Sequence, residues 1–184
     1  MSRTLDLSRS TLALLALSAV ATAEGGSRVP TIDDLLSVKS LRGAVLSPDA
    51  RFVAYGVTEA DFEQDAFVTR LWLAPTDGAG PFRLTGGDKS ATSPRWSPDG
   101  RQICYATRHG LWSVPSSGGS PRRLTTEAEL DCDPVWAPSG RRIYFTSHRQ
   151  GTIALWRVEA SGEKLERVTF GTSQESQPSI SRDG

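Results

Sequence analysis

Beyond residue 40 the chain alternates apolar and polar residues in short bursts. Val53 and Tyr55, Ile103 and Tyr105, and Ile143 and Phe145 each stand two residues apart, so each pair shares one buried strand face. Leu71-Trp72, Leu111-Trp112 and Leu155-Trp156 mark a following strand, and "PFRLT" (81–85), "PRRLT" (121–125) and "LERVT" (165–169) a further one. No stretch after residue 40 shows a 3.6-residue period, which excludes a helical solenoid. Ahead of the strands, "TIDDLLSVKS" (31–40) predicts a short helix with Thr31 as N-cap, Asp33 and Asp34 in its first turn, and an apolar side of Leu35, Leu36 and Val38.

These bursts repeat. "AVLSPDARFVAYG" (44–56), "PRWSPDGRQICYA" (94–106) and "PVWAPSGRRIYFT" (134–146) align without a gap, and "PSISRDG" (178–184) opens a fourth copy. Trp72 to Thr85, Trp112 to Thr125 and Trp156 to Thr169 are each 13 residues. The interval from turn to Trp is the elastic one: Asp49 to Trp72 is 23, Asp99 to Trp112 is 13 and Ser139 to Trp156 is 17. Length variation thus falls on one hairpin tip while the strands stay fixed. Four short strands in roughly 40 residues make a propeller blade. The predicted fold is all-β: an incomplete β-propeller of four-stranded blades, three complete and a fourth begun, with a short N-terminal helix.

The repeated motif reads as turn chemistry. Pro48-Asp49, Pro98-Asp99-Gly100 and Pro138-Ser139-Gly140 fit tight turns: proline presets φ, aspartate binds nearby amides and glycine accepts positive φ. Ala50 and Ser139 stand where other copies have Gly and Asp, a drift that suits structure better than catalysis. Trp96 and Trp136 are expected between blades. Trp72, Trp112 and Trp156 are expected to cover each blade's outer part, with ligand stacking as the competing role.

Composition narrows the function. The formal net charge of zero gives no sign of nucleic acid or an anionic membrane as partner. Arg3 and Arg9 precede the apolar run 11–23, which ends Ala21-Thr22-Ala23; this reads as a signal peptide over 1–23, and hence a protein exported to the periplasm or secreted. The run is too short to span a bilayer, which needs about 20 apolar residues, and no later segment qualifies. Residues 24–43 form a lead-in and 44–184 the partial propeller. Cys104 is expected as a buried strand thiol and Cys132 as a separate loop thiol, with a bond between them the lesser alternative.

Candidate chemistry is sparse. No Gly-x-Ser-x-Gly elbow occurs, and His109 and His148 each adjoin an arginine, Arg108 and Arg149, on variable hairpins. No zinc spacing or phosphate-binding glycine motif is present, so no cofactor and no catalytic residue is expected. One constellation stands out: Glu59, Asp61, Glu63 and Asp65 in the long first hairpin, and Glu127, Glu129, Asp131 and Asp133 in a link between blades. Hairpin tips and inter-blade links point the same way, so these eight carboxylates are expected on one rim with the two histidines. A cation, a basic peptide or a neighbouring domain would suit that rim, and a solvated charged rim is the alternative.

"SPDARFVAY", "PRWSPDGRQICYA", "LWSVPSSGGSPRRLT" and "PVWAPSGRRIYFTS" resemble the propeller repeats shared by TolB and the prolyl oligopeptidase family of serine peptidases. The repeats alone do not separate the two. "TIDDLLSVKSLRGAVLSPDARFVAYGVTEADFEQDAFVTRLWLAP" (31–75) is similar to the start of the acylaminoacyl-peptidase and dipeptidyl-peptidase branch, whereas TolB-like proteins place an α/β domain before the propeller. The resemblance implies peptide substrates and a C-terminal hydrolase domain carrying the Ser, Asp and His. None of those positions occurs within these 184 residues, so the chain is expected to be inactive alone. It is read as a portion of a longer product, with incomplete blade faces that favour oligomers or aggregation. A stand-alone scaffold acting through protein partners is the alternative.

Overall fold

The computed structural model describes residues 29, 31–87, 89–126, 130–171 and 175–181. The region read as a signal peptide lies outside them. The described residues form three four-stranded antiparallel sheets, each with its strands in sequence order. Blade one holds β1 (Ser40–Leu46), β2 (Phe52–Asp61), β3 (Ala66–Pro75) and β4 (Phe82–Arg83). Blade two holds β5 (Thr92–Trp96), β6 (Gln102–Thr107), β7 (Gly110–Pro115) and β8 (Arg122–Arg123). Blade three holds β9 (Asp131–Trp136), β10 (Arg142–Ser147), β11 (Ala154–Glu159) and β12 (Glu166–Arg167). The sequence predicts these blades correctly, with two local corrections. The helix α1 spans Ile32–Leu36 only, closed by a capping box in which the Thr31 amide donates to Asp34 Oδ2 at 2.7 Å. Val38 lies outside it and, with Leu35, stays exposed. Cys132 lies in β9 rather than a loop, its sulfur 3.0 Å from the Thr146 hydroxyl, and both cysteines are free thiols.

The turn between the first two strands is a hydrogen-bonded unit. Ser97 Oγ donates to Asp99 Oδ1 at 2.6 Å and accepts from the Gln102 amide at 2.9 Å, while the Arg101 amide donates to Asp99 Oδ1 at 3.1 Å. Ser47, Asp49, Arg51 and Phe52 repeat this set at matching distances. Blade three has Ala137 in place of the serine and keeps the turn's backbone bonds, Ala137 N–H to Arg142 O and Gly140 N–H to Ala137 O, both 2.9 Å, with the Arg141 amide donating to Ser139 Oγ at a longer 3.4 Å. The fourth turn position is left-handed throughout: φ is 70° at Gly100, 68° at Gly140 and 58° at Ala50.

A second repeated device had no obvious sequence signal. Each inner strand carries a bulge, as the pairing slips between Arg42 and Val45 on β1, between Thr92 and Arg95 on β5, and opposite Tyr144 and Thr146 on β9. The residue before each proline takes positive φ: Ser93 at 52° and Asp133 at 51°, with Gly43 at 61° in the matching place of blade one. Gln177 repeats it at 49° ahead of Pro178, so the fourth copy begins in the same backbone.

Blades join through unequal faces. The face looking to the next blade carries Ala54, Leu71 and Leu73 in blade one and Cys104, Ala106 and Leu111 in blade two, all buried. The opposite face is bulkier: Ile103, Tyr105, Trp112 and Val114 fill the first joint, and Ile143, Phe145, Trp156 and Val158 the second. Trp112 and Trp156 therefore belong to the inter-blade face rather than covering a blade edge; cross-strand pairing sets each beside Tyr105 or Phe145. Trp96 and Trp136 lie between blades as expected, donating from Nε1 to Val45 O and Arg95 O at 3.1 Å.

Two outcomes are expected. Trp136→Phe deletes the indole's hydrogen bond to the Arg95 carbonyl, whereas the buried Trp112 indole has no partner to lose. Urea unfolding should show Trp136→Phe costing about 1–2 kcal/mol more than Trp112→Phe. Asp49 and Asp99 are held below the ordinary 3.8, first by the serine hydroxyl and then by the Arg51 or Arg101 amide. A depressed carboxyl stabilises the fold above its unfolded value and loses that effect as pH falls through its folded value. The Asp49→Asn/Asp99→Asn variant should thus melt lower than the parent near about pH 6 and converge with it near about pH 2.

Candidate functional site

The hairpins joining second and third strands and the links between blades gather at one end of the sheets, and the six described acids of the eight divide there into distinct environments. In blade one, both strands of the hairpin run ten residues, against six in blades two and three. The extra turns of strand project a stem that Arg70 clamps: its two terminal nitrogens reach Glu59 Oε1 and Asp61 Oδ2, each at 3.0 Å. Lys39 Nζ adds a 3.0 Å contact to Glu59 Oε2, and that hydrogen bond is the main reason the Glu59 carboxyl sits below its usual range. Thr58 and Thr69 hydroxyls meet at 2.8 Å across the same stem. At the tip, Glu63 and Asp65 are exposed beside Phe62 and Phe67, which are 74% and 62% exposed.

Asp131 departs from the expected rim. Its side chain is fully buried, because four groups satisfy it there. Thr125 Oγ1 and Ser147 Oγ each donate at 2.6 Å, and Arg149 donates from NH2 at 2.9 Å and from Nε at 3.3 Å. Arg149 also donates to Thr126 O at 3.0 Å and lies 5.8 Å from the Trp156 ring centroid. Asp131 thus fastens the link from blade two to the hairpin of blade three, and it is a structural acid rather than a ligand. Asp133 is half-buried at the β9 bulge. Glu127 and Glu129 lie outside the described residues. His109 is exposed in the β6–β7 turn, and His148 precedes the 3-10 turn Arg149–Gly151. Among the described residues no three His, Cys, Asp or Glu side chains converge on a common point.

The Leu-Thr signature has a similar explanation. Thr85, Thr125 and Thr169 accept through Oγ1 from the Leu71, Leu111 and Leu155 amides, each at 2.9 Å, extending a two-residue strand by a side chain. Arg123 and Arg167 turn back to the Thr125 and Thr169 carbonyls at 2.7 Å. Arg123 also lies 5.9 Å from the Trp112 ring, and Arg167 5.5 Å from Phe170. The sequence reading missed these arginines, since one spaced two residues before a threonine has no motif of its own. Ser97 is buried and spends its hydroxyl on Asp99 and Gln102, which leaves a turn brace rather than a nucleophile. Burial pushes the Cys104 thiol well up, so it is inert.

The chain is similar to several known proteins. The TolB beta propeller domain matches residues 108–184. Residues 108–184 thus carry repeats similar to the TolB propeller. Dipeptidyl-peptidase 5 of Porphyromonas endodontalis is 36% identical over 81 residues, 44% of this chain and 12% of that protein. The chain therefore spans a small part of that peptidase's length. A putative TolB from Agrobacterium tumefaciens superposes with a TM-score of 0.59 at 21% identity, covering 79% of this chain and 68% of that one. Pyrococcus horikoshii acylaminoacyl peptidase gives 0.60 at 16% identity, covering 73% and 25%. Both superpositions show a shared propeller fold. The TolB-type repeats are thus related to propellers of peptidases and of TolB alike. No described helix is long and apolar enough to cross a membrane.

Removing Asp131 tests the division of the acids. Asp131→Ala strands the Arg149 guanidinium, and thermal or urea unfolding should show a loss of about 3 kcal/mol. Asp65→Ala at the exposed tip should stay within about 0.5 kcal/mol of the parent.

Proposed function

We propose that the chain is the non-catalytic propeller portion of an exported serine peptidase, in which it gates and positions peptide substrates for a C-terminal hydrolase domain. The observation that carries this reading is the 36% identity to dipeptidyl-peptidase 5 over 81 residues. The lead-in supports it: α1 runs within three residues into β1 of blade one, as in the peptidase branch that 31–75 resembles. The side chains agree with a non-catalytic role, since Ser97 and Asp99 brace a turn and Asp131 and Arg149 brace a link. The basic start, apolar run and Ala21-Thr22-Ala23 of the first residues support export to the periplasm or beyond. The exposed acids and phenylalanines of the first hairpin suit contact with another domain or a basic peptide, and a cation at Glu63 and Asp65 is the lesser reading.

A second reading is a stand-alone periplasmic scaffold of TolB type. It is favoured by the putative TolB structure, which covers 79% of this chain and of which 68% is matched.

The two readings part experimentally. Treated with a fluorophosphonate that labels activated serines, the 184-residue chain should remain unlabelled. The product of the reading frame continued beyond residue 184 should label and should cleave peptide anilides. A frame that closes without a Gly-x-Ser-x-Gly elbow would overturn the peptidase reading in favour of the scaffold.

A further inference from the structure

The three proline turns share a backbone but differ in chemistry. In blades one and two the turn carries its own carboxylate, seated in a small receptor. Asp99 Oδ1 accepts from Ser97 Oγ at 2.6 Å and from the Arg101 amide at 3.1 Å, while Ser97 Oγ accepts from the Gln102 amide at 2.9 Å. Blade one repeats the arrangement with Ser47, Asp49, Arg51 and Phe52. Two oxygens thus face two successive amides. The receptor favours the charged form, since the serine hydroxyl first and the arginine amide second hold both aspartates below the ordinary 3.8.

Blade three has the receptor without its carboxylate. Ser139 stands in the place of Asp49 and Asp99, and Ala137 in the place of Ser47 and Ser97. The Arg141 amide reaches only Ser139 Oγ, at 3.4 Å. The Arg142 amide, counterpart of the Phe52 and Gln102 amides, has lost the hydroxyl acceptor, and none replaces it among the described residues. Charge changes in the same sense. Turns one and two each match one aspartate with one arginine, whereas turn three presents Arg141 and Arg142 with no acid of its own. Glu159 lies across the strands from Arg142, but Lys164 Nζ holds it at 2.8 Å. Ser139, Arg141 and Arg142 are exposed, beside a groove of about 830 Å³ that reaches Ala160 and Ser161. A following blade leaves such a turn open: Gly100 lies over Pro48, yet Asp49 and Arg51 stay exposed.

We propose that the third turn is a carboxylate-binding site, taking from a ligand the oxygens that blades one and two supply internally. The Arg141 and Arg142 amides and the Ser139 hydroxyl donate to the ligand, and the two guanidiniums add charge. One carboxylate has the two acceptor oxygens that two successive amides require. An acidic peptide side chain or a small organic acid carries that group, and the site stands whether the whole protein is a peptidase or a scaffold.

Nuclear magnetic resonance of the nitrogen-labelled 184-residue chain tests this. Added acetyl-Gly-Glu-Gly-amide should shift the Arg141 and Arg142 amide resonances saturably, with a midpoint on the order of millimolar. Acetyl-Gly-Gln-Gly-amide should leave them in place. Sodium acetate separates the sources: equal binding assigns the site to small acids, and weaker binding than the glutamate peptide assigns it to peptide side chains. Ala137→Ser/Ser139→Asp installs the internal carboxylate and should abolish the response, while the rest of its spectrum reports an intact fold. Arg141→Gln/Arg142→Gln, changes at two exposed positions, should weaken binding by about fivefold. No saturable shift in the parent, or full binding by either variant, would overturn the site. Tighter competition by inorganic phosphate for the same amides would overturn its assignment to carboxylates.

Discussion

Everything in this molecule depends on how one blade's sheet seats on the next. A four-stranded sheet whose outermost strand is two residues long buries little on its own and has two faces to cover. The chain solves this by making the faces unequal, small residues such as Ala54 and Ala106 on one and Ile, Tyr, Phe and Trp on the other. Bulk then enters recesses, as close packing requires. The indole hydrogen bonds of Trp96 and Trp136 set the register of that contact, because an N–H aimed at one carbonyl fixes both sliding and tilt.

The other repeated features serve this contact. The bulge before each proline bends the inner strand, and a Cβ at Gly43 would meet Pro94 of the next blade at an ordinary 3.5 Å. The turn glycines Gly100 and Gly140 lie over Pro48 and Pro98 of the preceding turn, at 3.7 Å and 3.8 Å by the same measure. The threonine clamps supply outer-edge hydrogen bonds that β4, β8 and β12 are too short to make. At the hairpin end, Arg70 and Arg149 each hold two or more partners, so the charge there is mostly spent on rigidity.

Blade count, strand order and the elastic hairpin were legible because they are periodic: Val53, Ile103 and Ile143 recur at one phase, and the spacing between signatures is constant. The serine–aspartate turn was legible for the same reason. What one sequence could not give was the depth of a given acid. Asp131 and Asp133 look alike in "LDCDP" and would share a face of a regular strand, yet the bulge breaks that period of two, so Asp131 enters a nest of donors while Asp133 sits at the bulge with φ 51°. Glu59 and Asp61 likewise look free until β3 brings Arg70 alongside. The tryptophans of the third strands were assigned to the right strand and the wrong surface, because one strand's pattern does not tell which of its faces meets another blade.

Blade one has Leu46 where its successors have tryptophan, and Leu46 is partly exposed. Each blade leans only on its neighbours, so stability passes along the chain as links in a row rather than through a single centre. Among the described blades, blade two is packed on both of its faces, so a change at either joint is felt through its sheet.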